Sequence, residues 1–421
     1  MLRMEGLAIL LGYLFRKGYM KRILPIAIIE KDLKKRQKAI RAHMQKTAGQ
    51  TLILVPEVAM LDAYADMGVV YHAGLKQSEK KNIRARVVSG EVRVVVGTQK
   101  ALFLPFQQLS LVVIDEEQYE SYKLWSQYPR LHTVRGALEL ARVWGAHVIY
   151  GSSYPSLRLR HLCAEGMCKK VVDNPVTISV ELQQFSFEDR KWKRALPNDI
   201  GSKIRSWARG GKRILVIHNK KDHARIQEVL FFHLSVKAKK NIVLGTTALL
   251  SEAVSTTYDY VVWVFPELTM HAIDHRSNER ARMLASRMQL LAPAKPIYVV
   301  TRSMNMAHDV LMLDDGAWQT KALEERKRLS LPPFTDVVRL TVRDKSKTKA
   351  RTRAMDVIQI LTTSLPVKSG AQVFGPFQDR AGKAADVHEY HALAVGQLSV
   401  LLEAYKNVPI DAADVDPHRI V

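Results

Sequence analysis

From about residue 50 the chain alternates short, β-branched apolar runs with longer polar stretches of helical period, and few folds accommodate that pattern. The runs are Thr51–Val55 (TLILV), Val92–Val96 (VRVVV), Leu111–Ile114 (LVVI) and His147–Tyr150 (HVIY). Each is nearly continuous in apolar residues, as a parallel strand covered on both faces must be. Between them lie helix-friendly stretches such as 77–88 and 133–144. The alternation predicts an open, doubly wound α/β sheet.

A polar, basic stretch over 172–210 interrupts the series; Pro175, Pro197 and the pair Gly210-Gly211 suit a linker. A second α/β series then follows at 213–217 (RILVI), 241–244 (NIVL), 260–265 (YVVWVF) and 296–300 (PIYVV). It predicts a second, smaller sheet over 211–330. Beyond Leu331-Pro332-Pro333-Phe334, where two prolines forbid helix continuation, the order becomes strand 336–342, helix 348–365, strand 372–377, strand 389–395, helix 397–406 and strand 411–416. That βαββαβ order is the ferredoxin-like unit. The expected organisation is a basic segment 1–50, a first lobe 51–171, a linker 172–210, a second lobe 211–330 and a C-terminal domain 331–421.

With 421 residues and 47% apolar composition, several ordinary globular domains are expected. The net charge of +23 attracts polyanions, which makes nucleic acid the first partner to consider. The charge is concentrated. Residues 1–50 hold twelve Lys or Arg against three acids, and residues 190–240 hold fifteen against three. Two cysteines, Cys163 and Cys168, exclude a disulfide framework and are too few for a structural zinc site, so no zinc is expected. Free thiols suit a reducing cytoplasm. The apolar run Gly6–Phe15 is too short to span a bilayer and lacks a signal-cleavage pattern, so no membrane role is expected.

Short strings at strand ends, where open α/β sheets place ligands, carry the chemistry: LVPEVAML (54–61), YHAGL (71–75), VVVGTQKALFLPF (94–106), VVIDEEQYESYK (112–123) and VIYGSSYPSL (148–157). The second series adds VIHNKK (216–221), IVLGTTALL (242–250) and IDHRSNERARML (273–284). Further on come EERKRLSLPPF (324–334), GPF (375–377) and DVDP (414–417). In order and spacing these strings resemble superfamily 2 helicases, and specifically the PriA (primosomal protein N′) replication-restart family. The resemblance covers residue 51 to the end. It implies two RecA-like parallel-sheet lobes and a C-terminal α+β domain.

The departures from the family pattern bear on function. No G-x-x-x-x-G-K-[ST] phosphate loop occurs in the chain; the region upstream of LVPE reads KKRQKAIRAHMQKTAGQ (34–50), where Lys46-Thr47 is the nearest pair and lacks its glycines. Leu291 stands where the resemblance places an arginine finger, a group that supplies several orders of magnitude of rate. Ser251–Ser255 replaces the family's K-G-H-D segment, and the eight-cysteine zinc insertion expected after VIHNKK is missing. Only fifty residues precede the core, so no counterpart of the family's N-terminal 3′-end-binding domain is expected.

Asp115 and Glu116 stand where a working enzyme would hold Mg²⁺ and polarise water, with Gln118 in place of the usual His. Without a phosphate loop they are expected to be a degenerate Walker B pair. His72 is expected to be merely hydrogen-bonded. Thr98, Gln99 and Lys100 fit either a DNA-backbone contact or a plain capping turn. Lys191, Lys193 and Arg194 of the basic stretch, with Arg276 and Arg280 of IDHRSNERARML, which resembles the first half of the family's motif VI, complete the candidate DNA contacts. The expected function is a DNA-binding, PriA-like replication-restart protein, probing branched or single-stranded DNA without ATP hydrolysis. Two rivals stand beside it: an active ATP- and Mg²⁺-dependent 3′–5′ helicase with a truncated start or unconventional site, and a scaffold for other primosome proteins.

Overall fold

The computed structural model describes residues 23–123, 130, 132–191, 194–252, 256–270, 274–378, 387–405 and 408–417. The apolar run Gly6–Phe15 and Lys193 lie outside the described residues.

The first lobe is a seven-stranded parallel sheet in the order β3-β4-β2-β5-β6-β1-β7. Its strands are β1 (Ile26–Glu30), β2 (Gln50–Leu54), β3 (Val69–Tyr71), β4 (Val94–Gly97), β5 (Leu109–Ile114), β6 (His147–Ser152) and β7 (Lys169–Asn174). Helices α1 (Leu33–Met44), α2 (Gln77–Val88), α3 (Thr133–Trp144) and α4 (Leu157–Ala164) connect them. The central strands β2, β4 and β5 are almost wholly buried, which explains their unbroken apolar character.

Two expected boundaries move. The segment 1–50 is not a separate basic extension in its described part: β1 inserts between β6 and β7, and α1 packs beside it. The apolar core of β1 is four residues, IAII, flanked by Lys and Arg, so charge density hid a strand. The stretch 172–210 is not a linker either. It supplies β7, then β8 (Val180–Gln184), then α5 (Asn198–Arg209), whose Ile200, Ile204 and Ala208 are buried. Pro197 precedes α5 and Gly210 follows it, so these residues delimit a helix, as they commonly do. The connection between lobes shrinks to residues 175–179.

The second lobe is a five-stranded parallel sheet, β10-β9-β11-β12-β8, built from β8, β9 (Ile214–Ile217), β10 (Ile242–Gly245), β11 (Tyr260–Val264) and β12 (Ile297–Thr301). Motif VI lies at and within α6 (Ser277–Leu291), and α7 (Asp315–Arg328) leads out of the lobe. Leu291, the expected arginine-finger position, is buried in this lobe's core.

The C-terminal domain comprises β13 (Asp336–Asp344), α8 (Lys347–Ser364), β14 (Gln372–Gln378), β15 (His388–Gly396), α9 (Leu398–Ala404) and β16 (Ala412–Val415). The antiparallel order β14-β15-β13-β16 is the ferredoxin-like arrangement expected from sequence. No helix among the described residues is long and apolar enough to cross a membrane.

Candidate functional site

The neighbouring order β5-β6-β1 brings three strand ends together: Glu30 closing β1, Asp115 and Glu116 after β5, and Ser152-Ser153 at the end of β6. In a nucleotide-binding lobe a glycine-rich loop joins the first of these strands to its helix. Here that connection is Lys31-Asp32, and its amides are already used. Glu30 Oε1 accepts from Asp32 N at 2.9 Å, and Asp32 Oδ1 caps α1 by accepting from Lys35 N at 3.1 Å. Two carboxylates therefore sit where a phosphate would need free N–H groups and positive potential.

One turn into α1, Arg36 turns inward. It is 1% exposed and fills the space between the strand ends. Its Nε donates to Asp115 Oδ1 at 2.7 Å, Nη2 to Asp115 Oδ2 at 3.2 Å and to Glu116 Oε1 at 2.6 Å, and Nη1 to the Glu30 carbonyl at 2.5 Å. Tyr64 donates its hydroxyl to Asp115 Oδ2. Glu116, held at φ +50, has its other oxygen Oε2 occupied by Gln118 Nε2 at 2.5 Å and by Ser153 N and Oγ at 3.1 and 2.8 Å. Burial alone would raise the Glu116 pKa, but Arg36 and the Gln118 and Ser153 hydrogen bonds outweigh it and hold the carboxyl below its ordinary range. Burial likewise opposes the charge on Arg36, while Asp115 and Glu116 hold its pKa well above normal.

These residues do not fit Mg²⁺-ATP. A guanidinium stands at the carboxylate oxygens that a metal would need, and the adjoining turn offers carboxylates to a triphosphate. Lys46 and Thr47, the nearest sequence match to a phosphate loop, follow the far end of α1. Asp115 and Glu116 thus form a buried, internally paired cluster. Arg36 was missed from sequence. Two acids after a buried strand with no phosphate loop require some cation, and a basic residue on the helix after β1 was the place to seek it.

Glu117 accepts from Ser156 N at 2.8 Å and Oγ at 2.9 Å, yet burial dominates and pushes its pKa up to about 7. His72 is simply hydrogen-bonded, its Nδ1 accepting from Gly74 N at 3.2 Å.

The candidate DNA contacts separate. Thr98 is buried just after β4, and Gln99 Nε2 donates to the Ser121 carbonyl. Lys100 and Lys191 are exposed. Arg194 pairs with Asp189 at 3.0 Å. Arg276 and Arg280 are both held in ion pairs. Arg276 pairs with Asp416 of the C-terminal domain, and Arg280 pairs with Glu120 of the first lobe and with Asp274. Around them Lys123 pairs with Asp414 at 2.6 Å, and Glu279 accepts from Leu157 N and Arg326 Nη2, each at 2.8 Å. The first half of motif VI is a bolt joining both lobes and the C-terminal domain.

The chain is 28% identical over 189 residues to the replication restart protein PriA of Bacillus subtilis (strain 168), covering 42% of this chain and 23% of that one. It is 36% identical over 115 residues to PriA of Helicobacter pylori (strain J99 / ATCC 700824), covering 25% and 18%. This chain is similar to PriA over parts of its length. The PriA-like chain matches only about a fifth to a quarter of the length of such curated relatives. No protein-family model matches it. Among solved structures, the PriA-like chain aligns with the Mycobacterium smegmatis helicase Lhr bound to ssDNA and AMP-PNP at TM-score 0.43 and 12% identity, over 75% of this chain and 48% of that one. The DUF1998 helicase MrfA bound to DNA and AMPPNP gives TM-score 0.45 and 11% identity, over 72% and 52%.

Proposed function

We propose that this PriA-like protein binds single-stranded or branched DNA in replication restart and does so without hydrolysing ATP. The observation that carries the second half is the Arg36 guanidinium seated on Asp115 and Glu116, where a catalytic site would need a metal. Phosphoryl transfer depends on positioned cations and donors around the phosphates, and here those donors are committed internally. DNA binding rests on the net charge of +23, on its concentration over 190–240, and on the similarity to replication restart proteins. The affinity would come from Lys and Arg on phosphates and fall steeply with salt. Docking to other primosome or replication proteins belongs to the same reading.

The test is one preparation carrying two measurements: binding to single-stranded and forked DNA across a salt series, and ATPase with and without that DNA. Salt-sensitive binding with background ATPase supports the proposal. A turnover that disappears in Asp115→Ala makes the protein a true ATPase and overturns it. Absence of binding to either DNA overturns the DNA half.

A further inference from the structure

The second lobe carries three clustered aromatic rings at one edge of its sheet. Trp207 lies near the end of α5 and stacks on Tyr260, with ring centroids 3.9 Å apart and planes 6° from parallel. Tyr298 closes the group, 5.1 Å from Trp207 at a tilt of 51°. Tyr260 opens β11 and Tyr298 is the second residue of β12, so both rings lie at the edge where these parallel strands begin. That edge is opposite the strand ends where open α/β sheets place ligands. All three residues are half-buried: they pack on the lobe's core and keep part of each ring in solvent.

Cations border the rings. Lys203, one turn before Trp207, places Nζ 5.7 Å from the Tyr298 centroid, and the Arg213 guanidinium lies 5.3 Å from the Tyr258 centroid. The acids nearby engage Lys203 and the neighbouring Lys212 loosely. Lys203 meets Glu181 at 3.6 Å and Lys212 meets Asp259 at 3.4 Å, with all four side chains 40–53% exposed. Exposed pairs of this length are weak and salt-sensitive, so a phosphate can displace the carboxylate.

We propose that the Trp207–Tyr260–Tyr298 cluster is a stacking platform for the bases of single-stranded DNA, with Lys203 and Arg213 meeting the flanking phosphates. The inference rests on the DNA-binding reading and adds to it a place and a mode: base stacking, outside the strand-end cleft. A ring platform with a basic border is how proteins hold single strands without reading sequence, since every base offers a π face.

The experiment compares fluorescence anisotropy of the full chain on oligo(dT) of about 15 nucleotides and on an abasic strand of equal length and charge. The parent should prefer oligo(dT) by about tenfold. Trp207→Ala should remove that preference while leaving abasic binding unchanged, and Trp207→Phe should keep most of it. Lys203→Gln combined with Arg213→Gln should weaken both ligands. Equal affinity of the parent for both strands, or full preference in a Trp207→Ala protein that melts like the parent, overturns the platform and leaves DNA binding intact. If Trp207→Ala does not fold, the exposed Lys203/Arg213 double variant decides, and unchanged affinity overturns the proposal. Failure of the parent to bind either strand removes the underlying reading instead.

Discussion

Arg36 Nε lies 2.7 Å from Asp115 Oδ1, at the ends of strands where a related enzyme would place a metal-bound nucleotide. One helical side chain makes Asp115 half of a buried ion pair. Such a pair contributes little net stability over an apolar substitute, but removing a single partner strands an uncompensated charge. Arg36→Ala should therefore destabilise the protein by about 3–5 kcal/mol. The triple variant Arg36→Met, Asp115→Asn, Glu116→Gln should lose much less. Urea unfolding measures both; equal losses would mean that Arg36 matters for its bulk and not for its charge.

Restoring ATPase should not follow from removing Arg36. The turn between β1 and α1 still presents Glu30 and Asp32 to any phosphate, and the Asp32 and Lys35 amides remain taken by those carboxylates. Calorimetric titration of Arg36→Ala with Mg²⁺-ATP should show no binding beyond that of the parent. Tight nucleotide binding by that variant would reveal a preserved phosphate cradle and reverse the assignment.

How much of this was legible in the sequence differs by region. The C-terminal domain was, because its strands alternate, its helix boundaries are sharp and two prolines mark its start. Strands β2, β4, β5 and β6 were, because burial on both faces forces continuous apolar runs. β1 and β8 were not: one is a four-residue apolar core amid basic residues, and the other, VELQQ, is only partly buried at a sheet edge. In the site, the acids could be read from their motif. The need for a cation beside them could also be inferred, but not which residue supplies it, because Arg36 lies 79 residues away on a helix after the unread β1.

Stability should depend on Glu117 with a definite sign. Burial raises its folded pKa from 4.5 to about 7, so between those values the folded chain holds a proton that the unfolded chain has released. The contribution is fully present below pH 4.5 and is lost as the pH climbs to about 7, amounting to about 3 kcal/mol. Glu117→Gln should abolish this fall. Comparing melting at mildly acidic and mildly alkaline pH isolates it, since Glu116 and Asp416, both held below the normal range, contribute in the opposite direction only at lower pH. A parent and variant with identical pH profiles would place Glu117 in contact with solvent.

The junction of both lobes with the C-terminal domain gives the last prediction, and it separates architecture from DNA contact. Arg276 carries the charge of a DNA-binding motif VI residue but spends it on Asp416, 9% exposed as a side chain. Burial raises the Asp416 pKa, yet Arg276, His132 and Lys123 together hold it well below the ordinary carboxylate range. Arg276→Ala leaves that carboxylate buried without its closest partner, so the protein should lose about 3–5 kcal/mol. Its DNA salt dependence should not change, because no phosphate contact has been removed. Neutralising exposed Lys100 or Lys191 should do the reverse, leaving stability within about 0.5 kcal/mol. Each should also flatten the slope of log K against log salt by about 0.7 for every single-strand phosphate it touches. Arg276→Ala with Asp416→Asn should recover part of the stability, as removal of both charges avoids the unpaired one. A variant of Arg276 that folds like the parent but binds DNA with a shallower salt slope would return the residue to the DNA surface and dissolve the bolt.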